Sequence, residues 1–377
     1  MKCLTSIQIK TLKLWNQHHR YTYNKSVDML NGDSNKNKLS LYGHDNLKPE
    51  SSNNLYNKLE LRNLIVPADT CSRIPWILET PKSIRESAVF EACKNLKSGI
   101  SNLKNGNIKY FNMKFKSKKL LKWTIGIPKE SIKIHENGEL GIYEERTTMF
   151  RLKTTEKITK INNDCTIHFD GLKYYICVPE DVQLKTNNES NWFCSLDPGS
   201  RKFQTIYSPD NDNYIIIGDR ASTVLYKNLI KLDKMLNKPN SKTILKIKKL
   251  RNRIMNLQTE LHCKSINFLC ESYKNIYIPK LTKDNDIIKI KGRKIHTKTV
   301  RNMVVLGHSK FVERLKTKAE TYRDVKIHVI TEEYTSQRCL RCENLTKTSD
   351  EKYICNTCNF TIDRDVLGST NILLKNW

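Results

Sequence analysis

The sequence predicts an α+β chain of more than one domain, with a helical and then antiparallel β region followed by an α/β region. Three observations predict this class. The 377 residues are more than one small core commonly organises. The apolar period changes from helical to two near residue 121, and past residue 190 strand-like and helix-like stretches alternate. Four cysteines spaced as two pairs interrupt that alternation near the C-terminus. Composition narrows the partners. Lys+Arg 66 against Asp+Glu 39 leaves a net charge of +27, an excess suited to a polyanion, with nucleic acid first and an acidic membrane surface second. No apolar run approaches the roughly 18 residues of a membrane span, and Met1-Lys2-Cys3-Leu4-Thr5 lacks the apolar stretch of a signal peptide. The chain is therefore expected to be soluble and intracellular with no membrane partner, and its 12 cysteines to be reduced or metal-bound.

Residues 1–115 read as mostly helical. Leu12, Leu14, Trp15, Val27, Met29 and Leu30 supply the periodic apolar positions, and the Asn- and Ser-rich stretch 31–57 reads as loop or linker. A second helix is expected with Thr80 as its cap and Pro81 at its first position, running through Ile84, Ala88, Val89, Ala92 and Leu96. Residues 116–190 read as a small antiparallel, barrel-like β region. Ile132 and Ile134 lead into Asn137-Gly138 and out through Leu140 and Ile142, while 166–169 leads into Asp170-Gly171 and out through 174–178. Asn-Gly and Asp-Gly tolerate the positive φ that two-residue hairpin turns require. Residues 191–377 form the third region. Strands are expected at 192–196, 203–207 and 214–217, then a long helical stretch over 221–273 broken at Pro239, a strand at 276–278 and a helix over 299–319. A strand at 325–330, the cysteine segment and a helix over 366–374 complete it.

Three meandering strands followed by helix, strand, helix, strand and helix is the element order of an RNase H-like nuclease core, in which carboxylates at strand ends hold divalent metal. Asp197 ends the first strand, and Asp365 precedes the last helix. Each also has a plainer reading, since Asp-Pro-Gly is ordinary turn chemistry and an Asp before a helix is often its N-cap.

Cys339-Leu340-Arg341-Cys342 and Cys355-Asn356-Thr357-Cys358 form two C-x-x-C pairs. Such pairs turn four thiolates onto one ion and leave no open position, which suits structural zinc; rubredoxin-like iron and four unrelated reduced thiols are the alternatives. The other eight cysteines, including Cys93, Cys194 and Cys270, read as small core residues. The basic run 114–119 and the run Lys246, Lys248, Lys249, Arg251, Arg253 fit either a nucleic-acid backbone or a solvated face. Tyr110, Phe111 and Trp123 either stack on bases or pack in the core. His308 and Phe311 read as packing or phosphate-contact residues rather than ligands.

The stretch Glu332-Glu333-Tyr334-Thr335-Ser336-Gln337-Arg338-Cys339-Leu340-Arg341-Cys342, with Cys355-Asn356-Thr357-Cys358, Asp363-Arg364-Asp365 and Asn371-Ile372, resembles the C-terminus of TnpB proteins of insertion sequences. Leu196-Asp197-Pro198-Gly199, with Arg201 and Phe203, is similar to the Fanzor proteins, their eukaryotic and giant-virus relatives; the likeness extends more loosely over 81–371. The resemblance implies a mobile-element RNA-guided DNA endonuclease, related to type V CRISPR effectors and long named simply a transposase, with DNA and a guide RNA as partners. It implies a RuvC nuclease domain over 191–377 with a zinc finger inserted at 335–362. A helical region 1–115 and a wedge-like β region 116–190 would hold nucleic acid, and the nucleus or a viral factory are the candidate compartments. Under it, Asp197, Glu332 and Asp365 hold catalytic Mg²⁺ for two-metal hydrolysis, and Cys339, Cys342, Cys355 and Cys358 hold structural zinc.

Three departures stand out. Pro279 follows the strand 276–278 where TnpB proteins carry their middle catalytic Glu. As in Fanzor-like proteins, the acid is then expected just before Tyr-Thr-Ser, at Glu332 rather than Glu333. The adjacent strand is only about 4.8 Å away, and successive strand residues face opposite ways. Glu271 and Asp286 are poorer candidates. Leu367 replaces the family's Asn and Gly368-Ser369 its Ala-Ala pair, while Glu343 replaces the usual Gly after the second cysteine. Retention of Asp197, Glu332 and Asp365 favours an active guided nuclease. Pro279 and Leu367 favour a decayed copy that binds DNA or RNA without cutting, and a strand-joining transposase would use the same carboxylates.

Overall fold

The computed structural model describes residues 1, 4–31, 58–71, 74–144, 151–187, 191–210, 213–237, 240–280, 297–331, 333–348 and 350–376. They gather into two compact units, Met1–Asp181 and Val182–Trp377. The loop expected at 31–57, the break at Pro239, Asp286 and Glu332 lie outside the described residues, Asn31 apart.

In the first unit α1 (Ser6–Leu30) opens with a capping box: the Thr5 hydroxyl accepts from the Gln8 N–H and the Gln8 amide oxygen from the Thr5 N–H. Leu12, Trp15, Tyr23 and Val27 form its buried face. Against it pack α2 (Lys58–Ile65) and α4 (Lys82–Lys104), with the short α3 (Ala68–Cys71) between them in sequence. Thr80 does not cap α4. Pro81 occupies the cap position, and the Thr80 hydroxyl pairs at 2.6 Å with Nδ1 of buried His18, because an imidazole taken out of water needs a partner.

Among the described residues of this unit six strands follow: β1 (Trp123–Ile127), β2 (Ile132–Ile134), β3 (Leu140–Ile142), β4 (Arg151–Leu152), β5 (Cys165–Phe169) and β6 (Tyr174–Cys177). They form two antiparallel three-stranded sheets, β1-β5-β6 and β2-β3-β4. Both expected hairpins are present, but neither loop has two residues, since Ile134 pairs with Leu140 and Phe169 with Tyr174. In each, only the glycine is left-handed, Gly138 at φ 77° and Gly171 at φ 98°. Asp170 secures the second loop by accepting from the N–H groups of Leu172 and Lys173 at 2.7 and 2.8 Å. Ile125, Ile127, Ile132, Leu140, Ile142, Leu152 and Ile167 share one core with Leu12, Trp15 and Ile84.

The second unit contains β7 (Phe193–Pro198), β8 (Gln204–Ser208), β9 (Asn213–Ile217), α5 (Ala221–Asn237), α6 (Ser241–Ser272), β10 (Asn275–Pro279), α7 (Thr297–Leu306) and α8 (His308–Ala319). After them come β11 (Lys326–Ile330), β12 (Lys352–Ile354), β13 (Thr361–Asp363) and α9 (Arg364–Asn376). Its main sheet runs β11-β10-β7-β8-β9. β7 is antiparallel to β8 and parallel to β10, β8 is antiparallel to β9, and β10 is parallel to β11.

Central β7 is covered on both faces, so it reads as continuously apolar or small. Cys194 and Leu196 look into a core with Phe203, Ile266, Leu269, Ile276, Phe311 and Leu315. Ser195 looks the other way and donates to the Ser369 carbonyl of α9 at 2.7 Å. The single helix expected over 299–319 is two, α7 and α8. Gly307 takes φ 65°, and a Cβ there would stand 2.5 Å from the Gln258 amide nitrogen, which itself donates to the Val305 carbonyl at 2.6 Å. The scattered cysteines are not uniformly core residues: Cys71, Cys165, Cys194 and Cys270 are buried, but Cys177 and Cys263 are exposed. No helix among the described residues is long and apolar enough to cross a membrane.

Candidate carboxylate site and metal centre

Asp197 is the penultimate residue of β7, on the face that meets α9. Its carboxylate rests on that helix. A Cβ at Gly368 would lie 2.7 Å from Asp197 Oδ2, so the glycine is what allows the approach. Asp365 sits one turn before Gly368, and residues three apart on a helix lie about 5–6 Å apart between Cβ atoms. Asp365 thus stands on the helix that Asp197 rests against, one turn from the contact, and both acids are half-buried.

The helix end explains why Asp365 is not spent on capping. Asp363, not Asp365, is the capping residue: its Oδ1 accepts from the N–H groups of Asp365 at 2.9 Å and Val366 at 3.3 Å. The other oxygen of Asp363 accepts from Lys202 Nζ at 2.9 Å, and the same ammonium lies 3.2 Å from Asp365 Oδ2. Burial works against charge on both partners. Even so, Asp363 and Asp365 hold Lys202 above the ordinary lysine range, and Lys202 with the helix N–H groups holds Asp363 below the ordinary carboxylate range. Carboxylate oxygens of this kind suit a hard ion such as Mg²⁺.

The remaining acids are placed unequally. Glu333 is exposed, and its backbone carbonyl accepts from Lys375 Nζ at 3.2 Å, with its carboxylate 3.9 Å from the same amine. Pro279 pairs with Ile330 across β10 and β11, so β10 ends without an acid. Glu271 lies exposed at the end of α6.

Behind Asp197 the turn is pinned. His308 Nε2 donates to the Gly199 carbonyl at 3.1 Å, and its Nδ1 faces the Gln204 amide at 3.4 Å. Phe203 stacks on His308 and on His262, with ring centroids 5.1 and 5.3 Å apart. His262 Nε2 donates to the Leu306 carbonyl at 2.7 Å, and Arg314 reaches its Nδ1 at 2.9 Å. Burial pulls both imidazoles down to about 4, so both are neutral near pH 7. Sequence reasoning missed Lys202 and His262. Nothing local marks Lys202 among 66 basic residues, and His262 looks like any polar residue on a long helix.

The four cysteines come together. The sulfurs of Cys339, Cys342, Cys355 and Cys358 all lie within 4.8 Å of one another, with Cys339 to Cys358 at 3.6 Å and Cys342 to Cys355 at 3.5 Å. A tetrahedral ion with Zn–S bonds of about 2.3 Å needs edges of about 3.8 Å, so the set fits zinc. Both knuckles have the same backbone. Glu343 N–H donates to the Cys339 carbonyl at 3.1 Å and Asn359 N–H to the Cys355 carbonyl at 3.0 Å. Glu343 and Asn359 are left-handed, at φ 62° and 55°. Glu343 therefore adopts the conformation that a glycine would take without strain. Backbone N–H groups of Cys358 and Thr357 pull the Cys355 thiol down, while the neighbouring sulfurs push Cys342 up. Leu367 of α9 is fully buried in a cluster with Cys339, Tyr353 and Cys355. Leu367 thus serves packing between α9 and the cysteine hairpin. Asn371 strengthens the same junction by donating to the carbonyls of Thr335 and Arg338 at 2.8 and 2.7 Å.

Of the basic runs, Lys116 is committed to structure, 2.6 Å from Glu91 and over the Tyr23 ring at 4.3 Å. Lys114, Lys118, Lys119, Lys246, Lys249, Arg251 and Arg253 are exposed. Tyr110 is exposed, whereas Trp123 packs edge-on against Tyr174 at 5.8 Å, and Phe111 fills the space over Gly99.

A family described as "Cas12f1-like, TNB domain" matches residues 308–372. The chain is 25% identical over 99% of its length to "TnpB-like protein L770" of Acanthamoeba polyphaga mimivirus, covering 72% of that protein. It is 26% identical over 94% of its length to "Putative transposase A625R" of Paramecium bursaria Chlorella virus 1, covering 81% of it. "Putative RNA-guided DNA endonuclease InsQ" of Escherichia coli (strain K12) is 22% identical over 62% of the chain and 61% of that protein. These matches bear out the TnpB resemblance.

Proposed function

We propose that this chain, a TnpB family member, is an RNA-guided DNA endonuclease that hydrolyses phosphodiesters at the Asp197 and Asp365 site. Relatives named TnpB-like protein, transposase and RNA-guided DNA endonuclease support the class. The observation that carries the reading is the seat of Asp197 Oδ2 against Gly368, one turn from Asp365. The central strand and the sheet order β11-β10-β7-β8-β9 suit an RNase H-like core, read here as a RuvC domain over 191–377 with a zinc finger at 335–362. The third carboxylate is assigned to Glu332, two residues beyond the end of β11.

Bound Mg²⁺ would supply an activated water and stabilise the leaving 3′ oxygen. The chain's own groups hold and aim. Asp197 is held by a strand buried on both faces, and Asp365 by a helix turn that Asp363 caps. His308 keeps the turn after Asp197 in place through Gly199. Exposed lysines and arginines of the two basic runs contact phosphates of DNA and guide RNA, with regions 1–115 and 116–190 holding the guide and the target duplex. Zinc at the four cysteines is structural, because four thiolates leave no position open.

The test is to sequence the RNA that co-purifies with the protein and to assay cleavage of a matching plasmid with Mg²⁺. A discrete RNA from one end of its own gene, with cleavage that EDTA stops, is the expected result. A second reading, binding without cleavage, is favoured by Pro279 at the end of β10. RNA and DNA binding that weakens linearly with log salt, with no cleavage at any Mg²⁺ concentration, would select it.

A further inference from the structure

Lys202 stands on the tight turn between β7 and β8, the same turn that leaves Asp197. Its side chain is 19% exposed, and Nζ bridges Asp363 Oδ2 at 2.9 Å and Asp365 Oδ2 at 3.2 Å. The bridge is not free to drift. Asp363 is anchored by the two N–H groups that it caps, so the lysine's principal partner is fixed to the helix backbone. The neighbouring Arg201 is engaged elsewhere, with Glu351. One oxygen of Asp365 therefore already faces a positive charge.

We propose that Lys202 is the resident cation of the carboxylate site, a positioning residue that aims Asp365 and competes with a divalent ion for it, so that Lys202 sets how tightly the ion binds. This rests on the nuclease reading above. An ion ligated by Asp365 Oδ2 at about 2.1 Å lies within roughly 5 Å of the ammonium, which is 3.2 Å from that oxygen. At that separation the repulsion between single and double charges weakens ion binding by about tenfold even with water-like screening. The lysine also relieves the repulsion between Asp363 and Asp365 before any ion arrives. Removing it leaves two carboxylates that attract an ion more strongly.

The experiment is a calorimetric titration of Mg²⁺, and separately Ca²⁺, into the full-length, nucleic-acid-free protein and into Lys202→Met, Lys202→Gln and Lys202→Arg. Lys202→Gln keeps a hydrogen-bond donor without the charge and serves if Lys202→Met folds poorly. The expected result is binding about tenfold tighter for the uncharged variants and unchanged for Lys202→Arg, with binding lost in Asp365→Asn. Metal-free melting of the uncharged variants should fall and be restored by Mg²⁺ more than in wild type. Unchanged or weaker Mg²⁺ affinity in both uncharged variants, with only the melting lowered, would reduce Lys202 to a structural clip and overturn the proposal while sparing the nuclease reading. No divalent binding by wild type or any variant would overturn the metal-site reading and this inference with it.

Discussion

The four-cysteine centre and the carboxylate site share α9, yet they are assembled in opposite ways. The cysteines come from two knuckles in one short segment, and each knuckle is shaped by its own backbone hydrogen bonds. The carboxylates come from the central strand β7 and from the last helix, two elements far apart in sequence that pack on each other through Ser195 and Gly368. A site of the first kind needs little beyond its own loop and its ion. A site of the second kind inherits every error in the packing around it.

The largest expected effect tests whether the two are separable. Structural zinc contributes an apparent ~10 kcal/mol or more in isolated zinc fingers, so Cys355→Ser with Cys358→Ser should abolish zinc content, about one equivalent in wild type. Because Leu367 is buried with Cys339 and Cys355, hydrogen exchange should also speed up in α9. Unchanged protection of α9 in the zinc-free variant would mean that the centres are independent.

Next come the acids themselves. Asp197→Asn, Asp365→Asn and Glu332→Gln should each reduce Mg²⁺-dependent cleavage by roughly a thousandfold, while zinc content and nucleic-acid binding hold. Glu333→Gln should cut normally, since its carboxylate lies beside Lys375. Full cleavage by Glu332→Gln would remove that residue from the set.

Acid should weaken the frame behind Asp197. His262 and His308 fall to about 4 in the folded state, against about 6.5 in an unfolded chain. Above pH 6.5 neither state binds the proton and nothing is lost. Below it the unfolded chain protonates first, so stability declines as pH falls from 6.5 toward 4. By pH 5 the loss is about 2 kcal/mol per imidazole, read from urea midpoints with zinc content measured in the same samples. His308→Gln should remove one share of that slope, and an unaltered slope would contradict the assignment.

The smallest effect refines the cysteine side. Glu343 is held at φ 62°, a conformation that costs an L-residue roughly 1 kcal/mol. Glu343→Gly should raise the melting temperature by that equivalent. Asn359→Gly should gain less, because Asn tolerates the left-handed region better.

Much of the architecture was legible because it is local. Apolar periods marked the strands and helices in order, and Asn137-Gly138 and Asp170-Gly171 marked the hairpins. The C-x-x-C spacing marked four ligands, because a knuckle is defined by its own few residues. Where the reading slipped, a distant partner had intervened. Thr80 went to His18 instead of a helix end, and Gly307 split a helix under the Gln258 side chain. The sequence by itself determined the order of elements, the basic excess and the cysteine set, since periodicity, charge and short spacing act over a few residues. Only the tertiary structure decided that Asp363 is the cap, that Asp197 rests against α9 at Gly368, that Lys202 bridges Asp363 and Asp365 and that Leu367 belongs to the cysteine core. Hydrophobic pattern dictates which face is buried, but the pairing of one polar group with another depends on which chain segments packing brings within about 3 Å.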